Sequence, residues 1–291
     1  VLAEEKIVVS NDGLFNPLNN LSSPMLKRKR MMDRELRKFI FRDLQKVEGY
    51  IDPPDALVFL SLLRAQENSG LSGGVAEIGV FYGRSYFLFR KICGGEDKIL
   101  GIDLFDLEQD GEGRVTQYDR FLDNGKRLGL PVDEALIIRG DSTGVSPHQV
   151  TDRVGQVRFF SIDGGHMLHH VRSDSRLAIE ALAPHGIIAF DDTFNPAWPE
   201  VTVGVADLLR EREDYASFCM TKYKTYVCRR AMHQFYSDVI AGAPDLTAFQ
   251  HAETEFMGSK VAHLNNPMGR RMVYELMVRS GMSAFAERAY R

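Results

Sequence analysis

The sequence predicts a doubly wound α/β domain whose sheet is mostly parallel and has seven strands, the closing strand antiparallel. Three observations predict it. Short apolar runs alternate with stretches of helical apolar spacing from about Val75 onward. Most of these runs end on an acid, giving Glu77 beside Gly79, then Asp103, Asp141, Asp163 and Asp191–Asp192. Two further runs, Phe218–Thr221 and Lys224–Arg230, follow one another too closely for a crossover helix and read as a closing pair.

Each element has a local reason. Met25 to Glu48 lacks Gly and Pro and reads as a helix. Asp52-Pro53-Pro54-Asp55 is a helix start, followed by an apolar face from Ala56 to Leu63. The strands are Val75–Gly79, Lys98–Asp103, Ala135–Asp141, Val157–Asp163 and Gly186–Asp192. The helices between and after them are Arg84–Cys93, Gly113–Leu128, Met167–Ala183 (stopped by Pro184) and Glu200–Asp214. The alternation stops after Arg230. The chain therefore divides into a helical extension at 1–49, the α/β domain at 50–230, and a C-terminal helical cap or oligomerisation segment at 231–291. Such extensions favour a homo-oligomer.

Composition narrows the function classes. The net charge of −4 gives no nucleic-acid footprint, and the one basic run, Lys27-Arg28-Lys29-Arg30, reads as a solvated helix face. Cys93, Cys219 and Cys228 form no pair or zinc-like spacing, so a reducing cytoplasmic location is expected. No apolar stretch approaches the ~18 residues of a membrane span, and the N-terminus lacks signal-peptide order.

Parallel sheets bind ligands at the carboxyl ends of their strands, where this chain concentrates its acids. The first loop, Glu77-Ile78-Gly79-Val80-Phe81-Tyr82-Gly83, has glycines spaced G-x-x-x-G rather than the G-x-G-x-x-G that brings a pyrophosphate to a helix N-terminus. An acid at that strand end suits a cationic group. S-adenosylmethionine carries an ammonium and a sulfonium and no phosphate. Asp103 follows Gly79 by 24 residues, near the offset at which an acid meets ribose hydroxyls. These features favour S-adenosylmethionine over a nicotinamide cofactor.

Asp163 ends the fourth strand, and Asp191 and Asp192 end the fifth. As neighbours, these strands would lie ~4.8 Å apart, so the carboxylates would share one crevice and repel. A hard divalent cation relieves that conflict, and an all-oxygen set suits Mg2+ or Mn2+. His166, in the turn after Asp163, suits proton abstraction from a hydroxyl. Phe194 and Trp198 are expected to wall the acceptor pocket.

Val75 to Ser85 resembles the first motif of class I S-adenosylmethionine-dependent methyltransferases, a Rossmann-like family. Asp163-Gly164-Gly165-His166, then Asp174, then Gly186 to Asp192, resembles its small-molecule O-methyltransferase branch, which includes the macrocin and mycinamicin sugar methyltransferases and the cephalosporin hydroxylase-like proteins. The resemblance spans about Tyr50 to Arg230. It implies that Glu77, Gly79 and Gly83 contact the methionine part of the cofactor, with Ser85 near its carboxylate. It also implies Asp103 at the ribose and Asp141 and Ser142 at the adenine, with Asp163 both at the cofactor and in catalysis. Asp163, Asp191 and Asp192 would be the metal ligands and His166 the base. The expected reaction is methylation of a hydroxyl on a sugar or natural product. A nicotinamide-dependent oxidoreductase and a non-catalytic cofactor-binding subunit are the competing readings; the missing third glycine speaks against the first, the retained acids and His166 against the second. A nucleic-acid methyltransferase is disfavoured by charge and by the absence of a base-flipping motif.

Overall fold

Alternate residues of each central strand feed two separate cores, and this decides the architecture. Val75, Ile99, Phe159, Ile187 and Tyr226 face one apolar layer; Ala76, Leu100, Phe160, Ile188 and Val227 face the other. A strand buried on both sides needs helices on both sides. The computed structural model describes residues 32–95, 97–107, 111, 116–265, 273, 276–277 and 280–282. The basic run at 27–30 and most of the tail beyond 265 lie outside the described residues, as does the start of the helix expected from Met25.

The first described helix, α1 (Arg34–Lys38), continues through a wide turn at Phe39–Asp43 and a tight one at Leu44–Lys46. Asp33 caps its start by accepting from the Leu36 N–H. Then come α2 (Pro53–Asn68), β1 (Gly74–Ile78), α3 (Arg84–Cys93), β2 (Ile99–Asp103), α4 (Gln117–Leu128), β3 (Ile137–Arg139), α5 (Pro147–Val154) and β4 (Val157–Ile162). They are followed by α6 (Leu168–Ala181), β5 (Leu182–Phe190), α7 (Pro199–Glu211), β6 (Tyr215–Met220), β7 (Thr225–Arg229), α8 (His233–Gly242), β8 (Gln250–Phe256) and β9 (Ser259–Asn265). One core packs α2, α3, α4 and α8 on the sheet, and the other packs α5, α6 and α7. Phe59 of α2 anchors the first core, stacked on Phe89 at 4.9 Å and edge-on to Phe159 at 5.1 Å. Such aromatic pairs contribute about 1 kcal/mol each beyond area burial.

The strand order is β3-β2-β1-β4-β5-β7-β6-β9-β8. Strands β1 to β5 are parallel, and β7 runs antiparallel between β5 and β6. The mixed, helix-flanked α/β sheet is therefore as expected, but it has nine strands rather than seven. The two extra strands come from 250–265, where helices and loops were expected. They form a hairpin through Met257-Gly258, both with positive φ, and β9 lies parallel to β6. The two-residue turn with left-handed backbone is the geometry that matches strand twist.

Two smaller departures have local causes. Pro184 does not precede β5 but lies within it: the register between β4 and β5 slips between Val157 and Phe159, and the exposed proline occupies that irregularity, where no ladder N–H is needed. Helix α5 is additional to the expected elements and starts on a capping box of Ser146 and Gln149.

Candidate active site

A crevice of about 750 Å³ opens at the carboxyl ends of the parallel strands. It is lined by the loops after β1 to β5 and by the turn between β6 and β7. The change of direction in strand order between β1 and β4 splays these loops apart, which is why ligand crevices form there.

The first loop is fixed to the second by Asp103. Its carboxylate accepts the Phe81 N–H at 2.8 Å and the Phe105 N–H at 2.7 Å, and both phenylalanines hold left-handed backbone. Burial raises the Asp103 pKa despite these backbone donors. Gly79 is forced by a close approach. With φ of +83°, a Cβ there would stand 1.7 Å from the Asp163 carbonyl oxygen. Gly83 serves packing instead: its Cβ would strike the Phe87 and Phe121 rings.

Of the residues singled out in the sequence, Gly79, Ser85, Asp103, Asp141, Ser142, Asp163, His166, Asp191 and Asp192 all line the crevice. Glu77 and Gly83 lie behind its wall. Glu77 is wholly buried, and neither carboxylate oxygen has a hydrogen-bond partner. Burial pushes its pKa to about 8, a shift that nearby Ser85 and Lys224 reduce without reversing. Such an orphaned acid beside the loop fits a cationic ligand and disfavours a phosphate. At the β3 end, Asp141 caps the following turn, accepting from the Thr143 N–H and hydroxyl, which lowers its pKa.

At the other end, one ligand atom each from Asp163, His166 and Asp192 lie within 4.8 Å of one another. His166 Nε2 is 3.0 Å from Asp192 and 4.0 Å from Asp163. Trp198 covers the face of the imidazole. Burial of Asp192 works to raise its pKa, but contacts from His166 and Asn195 outweigh this and lower it. Asp163 is held well above the usual carboxylate range, by burial first and by the charge of Asp191 second. Asp192 and Phe194 both have positive φ, so the loop after β5 is strained where it meets the crevice. Two carboxylates and an imidazole beside a crevice are a donor set that fits a divalent cation.

Asp191 departs from the expected trio. Its carboxylate is ion-paired with the buried Lys224 from the turn between β6 and β7. Sequence reasoning did not find Lys224 or Asp55, another buried residue lining the crevice. Asp55 accepts hydroxyl hydrogen bonds from Thr221 and Tyr226 at 2.7 Å each, and burial pushes its pKa to about 7. The available signal was a lysine immediately before an apolar strand run, a place where a buried charge needs a partner.

Residues 76–193 match a family model described as a methyltransferase domain. No curated protein matches the chain. Among solved structures, the chain is similar to the O-methyltransferase NovP, with 16% identity over 60% of this chain and 78% of that one and a TM-score of 0.48. It is also similar to CalS11, a TDP-rhamnose 3'-O-methyltransferase of calicheamicin biosynthesis, with 19% identity over 69% and 88% and a TM-score of 0.45. A third is an O-methyltransferase from Bacillus cereus in complex with SAH, with 14% identity over 72% and 93% and a TM-score of 0.44. The family match agrees, over residues 76–193, with the methyltransferase resemblance read from the sequence.

Proposed function

We propose that this chain transfers a methyl group from S-adenosylmethionine to a hydroxyl of a small molecule, a sugar or another natural product, with help from a divalent cation such as Mg2+ or Mn2+. The observation that carries the reading is the gathering of Asp163, His166 and Asp192 at one end of a crevice whose other walls bear Ser85, Asp103 and Asp141.

In this reading Asp103 holds ribose hydroxyls, Asp141 and Ser142 meet the adenine, and Gly79, Gly83 and Ser85 shape the methionine pocket. Glu77 lies behind that wall, where a bound ammonium would favour its ionised form. S-adenosylmethionine supplies an electrophilic methyl on sulfur. The acceptor oxygen approaches it from the side of Trp198, and His166 takes the hydroxyl proton. The imidazolium so formed is paired, because Asp192 and Asp163 stand 3.0 and 4.0 Å from its Nε2. Asp163 and Asp192 would each offer the cation one carboxylate oxygen while the other stays toward the imidazole, which remains outside the ligand set as the base. A cation there supplies Lewis acidity that lowers the pKa of a hydroxyl. The remaining acceleration comes from alignment within the crevice.

The test is labelled methyl transfer from S-adenosylmethionine into a small-molecule extract, with and without EDTA. The expected result is a labelled small product whose formation EDTA suppresses and Mg2+ or Mn2+ restores. No transfer under any condition rejects the reading; transfer indifferent to EDTA removes the cation alone. His166→Ala is expected to slow turnover by two orders of magnitude or so while leaving S-adenosylhomocysteine affinity intact.

A further inference from the structure

Lys224 is 6% exposed and lines the crevice. Its Nζ is ion-paired with the Asp191 carboxylate. The Phe59 ring lies 6.0 Å from Nζ on the core side. Asp55 is pinned by Thr221 and Tyr226, and Thr193 ties the loop after β5 to the same turn, bonding the Tyr223 carbonyl at 3.0 Å and the Thr225 hydroxyl at 2.8 Å. The turn that carries the ammonium is thus tied to α2 and to the loop after β5, and removing the ammonium would leave Asp191 without its counter-charge.

We propose that Lys224 is a built-in counter-cation that withholds Asp191 from any divalent cation and so sets the cation affinity of the neighbouring Asp163–Asp192 site. This rests on the reading of that site given above. The charge balance is simple. Asp163, Asp191 and Asp192, when ionised, carry three negative charges, and Lys224 cancels one through Asp191. A divalent cation on the other two leaves the cluster neutral. Without the lysine, Asp191 becomes an additional oxygen ligand and a like charge leaves the vicinity, and both changes favour the cation. Lys224 is accordingly a positioning residue that acts through Asp191 and Asp163.

The experiment measures Mn2+ binding to the intact chain by the electron paramagnetic resonance signal of free Mn2+, alongside a thermal melt. Lys224→Met is expected to tighten Mn2+ binding by about ten-fold or more, whereas Lys224→Arg, which keeps the charge, stays within about three-fold of the parent. Lys224→Gln retains a donor for Asp191 without the charge and serves if the methionine variant does not fold. It should move in the same direction. Unchanged or weaker Mn2+ binding in a folded, charge-free variant overturns the inference while leaving the parent's cation site standing. If neither the parent nor the variants bind Mn2+, the inference and the cation part of the proposed function both fall. Methyl transfer itself, measured separately, is unaffected by that outcome.

Discussion

Trp198 lies flat on His166, with ring centroids 4.3 Å apart and planes inclined by 17°. The imidazole is therefore held on its face by an indole and on its edge by Asp192 and Asp163. An indole face attracts cations, so the stack favours the protonated ring that proton abstraction produces. Trp198→Ala should lower kcat by about ten-fold through loss of this support, with S-adenosylhomocysteine affinity unchanged. Trp198→Phe should recover most of the loss. Steady-state rates at saturating cofactor check both, and a fall in cofactor affinity equal to the fall in kcat would mean that Trp198 shapes the cofactor pocket instead.

The buried acid Glu77 makes stability depend on pH in a definite direction. Its pKa rises from 4.5 to about 8 on folding. The folded chain then binds more protons than the unfolded one between those values, so its stabilising effect is present below 4.5 and lost as pH rises toward 8. Asp174, pushed by burial to about 6, and Asp55, at about 7, add the same sign. The cofactor-free protein should melt at a lower temperature at pH 8 than at pH 6. Glu77→Gln should flatten that slope, with an effect of up to a few kcal/mol at pH 8, and weaken S-adenosylhomocysteine binding. A steeper slope in the variant would show that Glu77 is ionised and paired.

Gly79 permits a sharp comparison. A side chain there meets the Asp163 carbonyl oxygen at 1.7 Å, whereas Gly129, at a similar positive φ of +69°, has nothing within 4 Å. Gly129→Ala should cost about 1 kcal/mol for the left-handed backbone alone. Gly79→Ala must also part the ends of β1 and β4, and should cost several kcal/mol or abolish folding. Urea unfolding of the two variants measures the difference, and equal costs would mean that the strand ends yield easily.

The sequence made the central sheet legible because β1, β2 and β4 are buried on both faces, so they appear as unbroken apolar runs. Helix α3 was bounded correctly because Gly83 and Gly94 punctuate it. By contrast, α5 buries only Val150 and Val154 and leaves almost no apolar period to see. Strand β8 is an edge, with Ala252 and Phe256 its only apolar residues, so its pairing is set by β9 rather than by its own pattern. The same limit applies in the site. Asp163, Asp191 and Asp192 stand out as strand-end acids, but the partner that claims Asp191 comes from a turn far along the chain. Only the antiparallel insertion of β7 beside β5 brings Lys224 to it.

The added hairpin has a consequence for the acceptor. Phe256, at the end of β8, meets Phe194 edge-to-face with centroids 5.4 Å apart. Phe194 belongs to the strained loop that carries Asp192 at one end and leads to Trp198 at the other. An aromatic contact of this kind contributes about 1 kcal/mol, enough to bias a loop held in left-handed backbone. Phe256→Ala should therefore loosen the acceptor side and leave the cofactor side, built on β1 to β3, undisturbed. The expected outcome is a several-fold rise in KM for the methyl acceptor, with KM for S-adenosylmethionine unchanged and a melting temperature within a few degrees of the parent. A variant that loses cofactor affinity instead would place the hairpin's influence on the whole sheet rather than on this loop. A variant with unaltered kinetics would reduce the Phe194–Phe256 contact to packing.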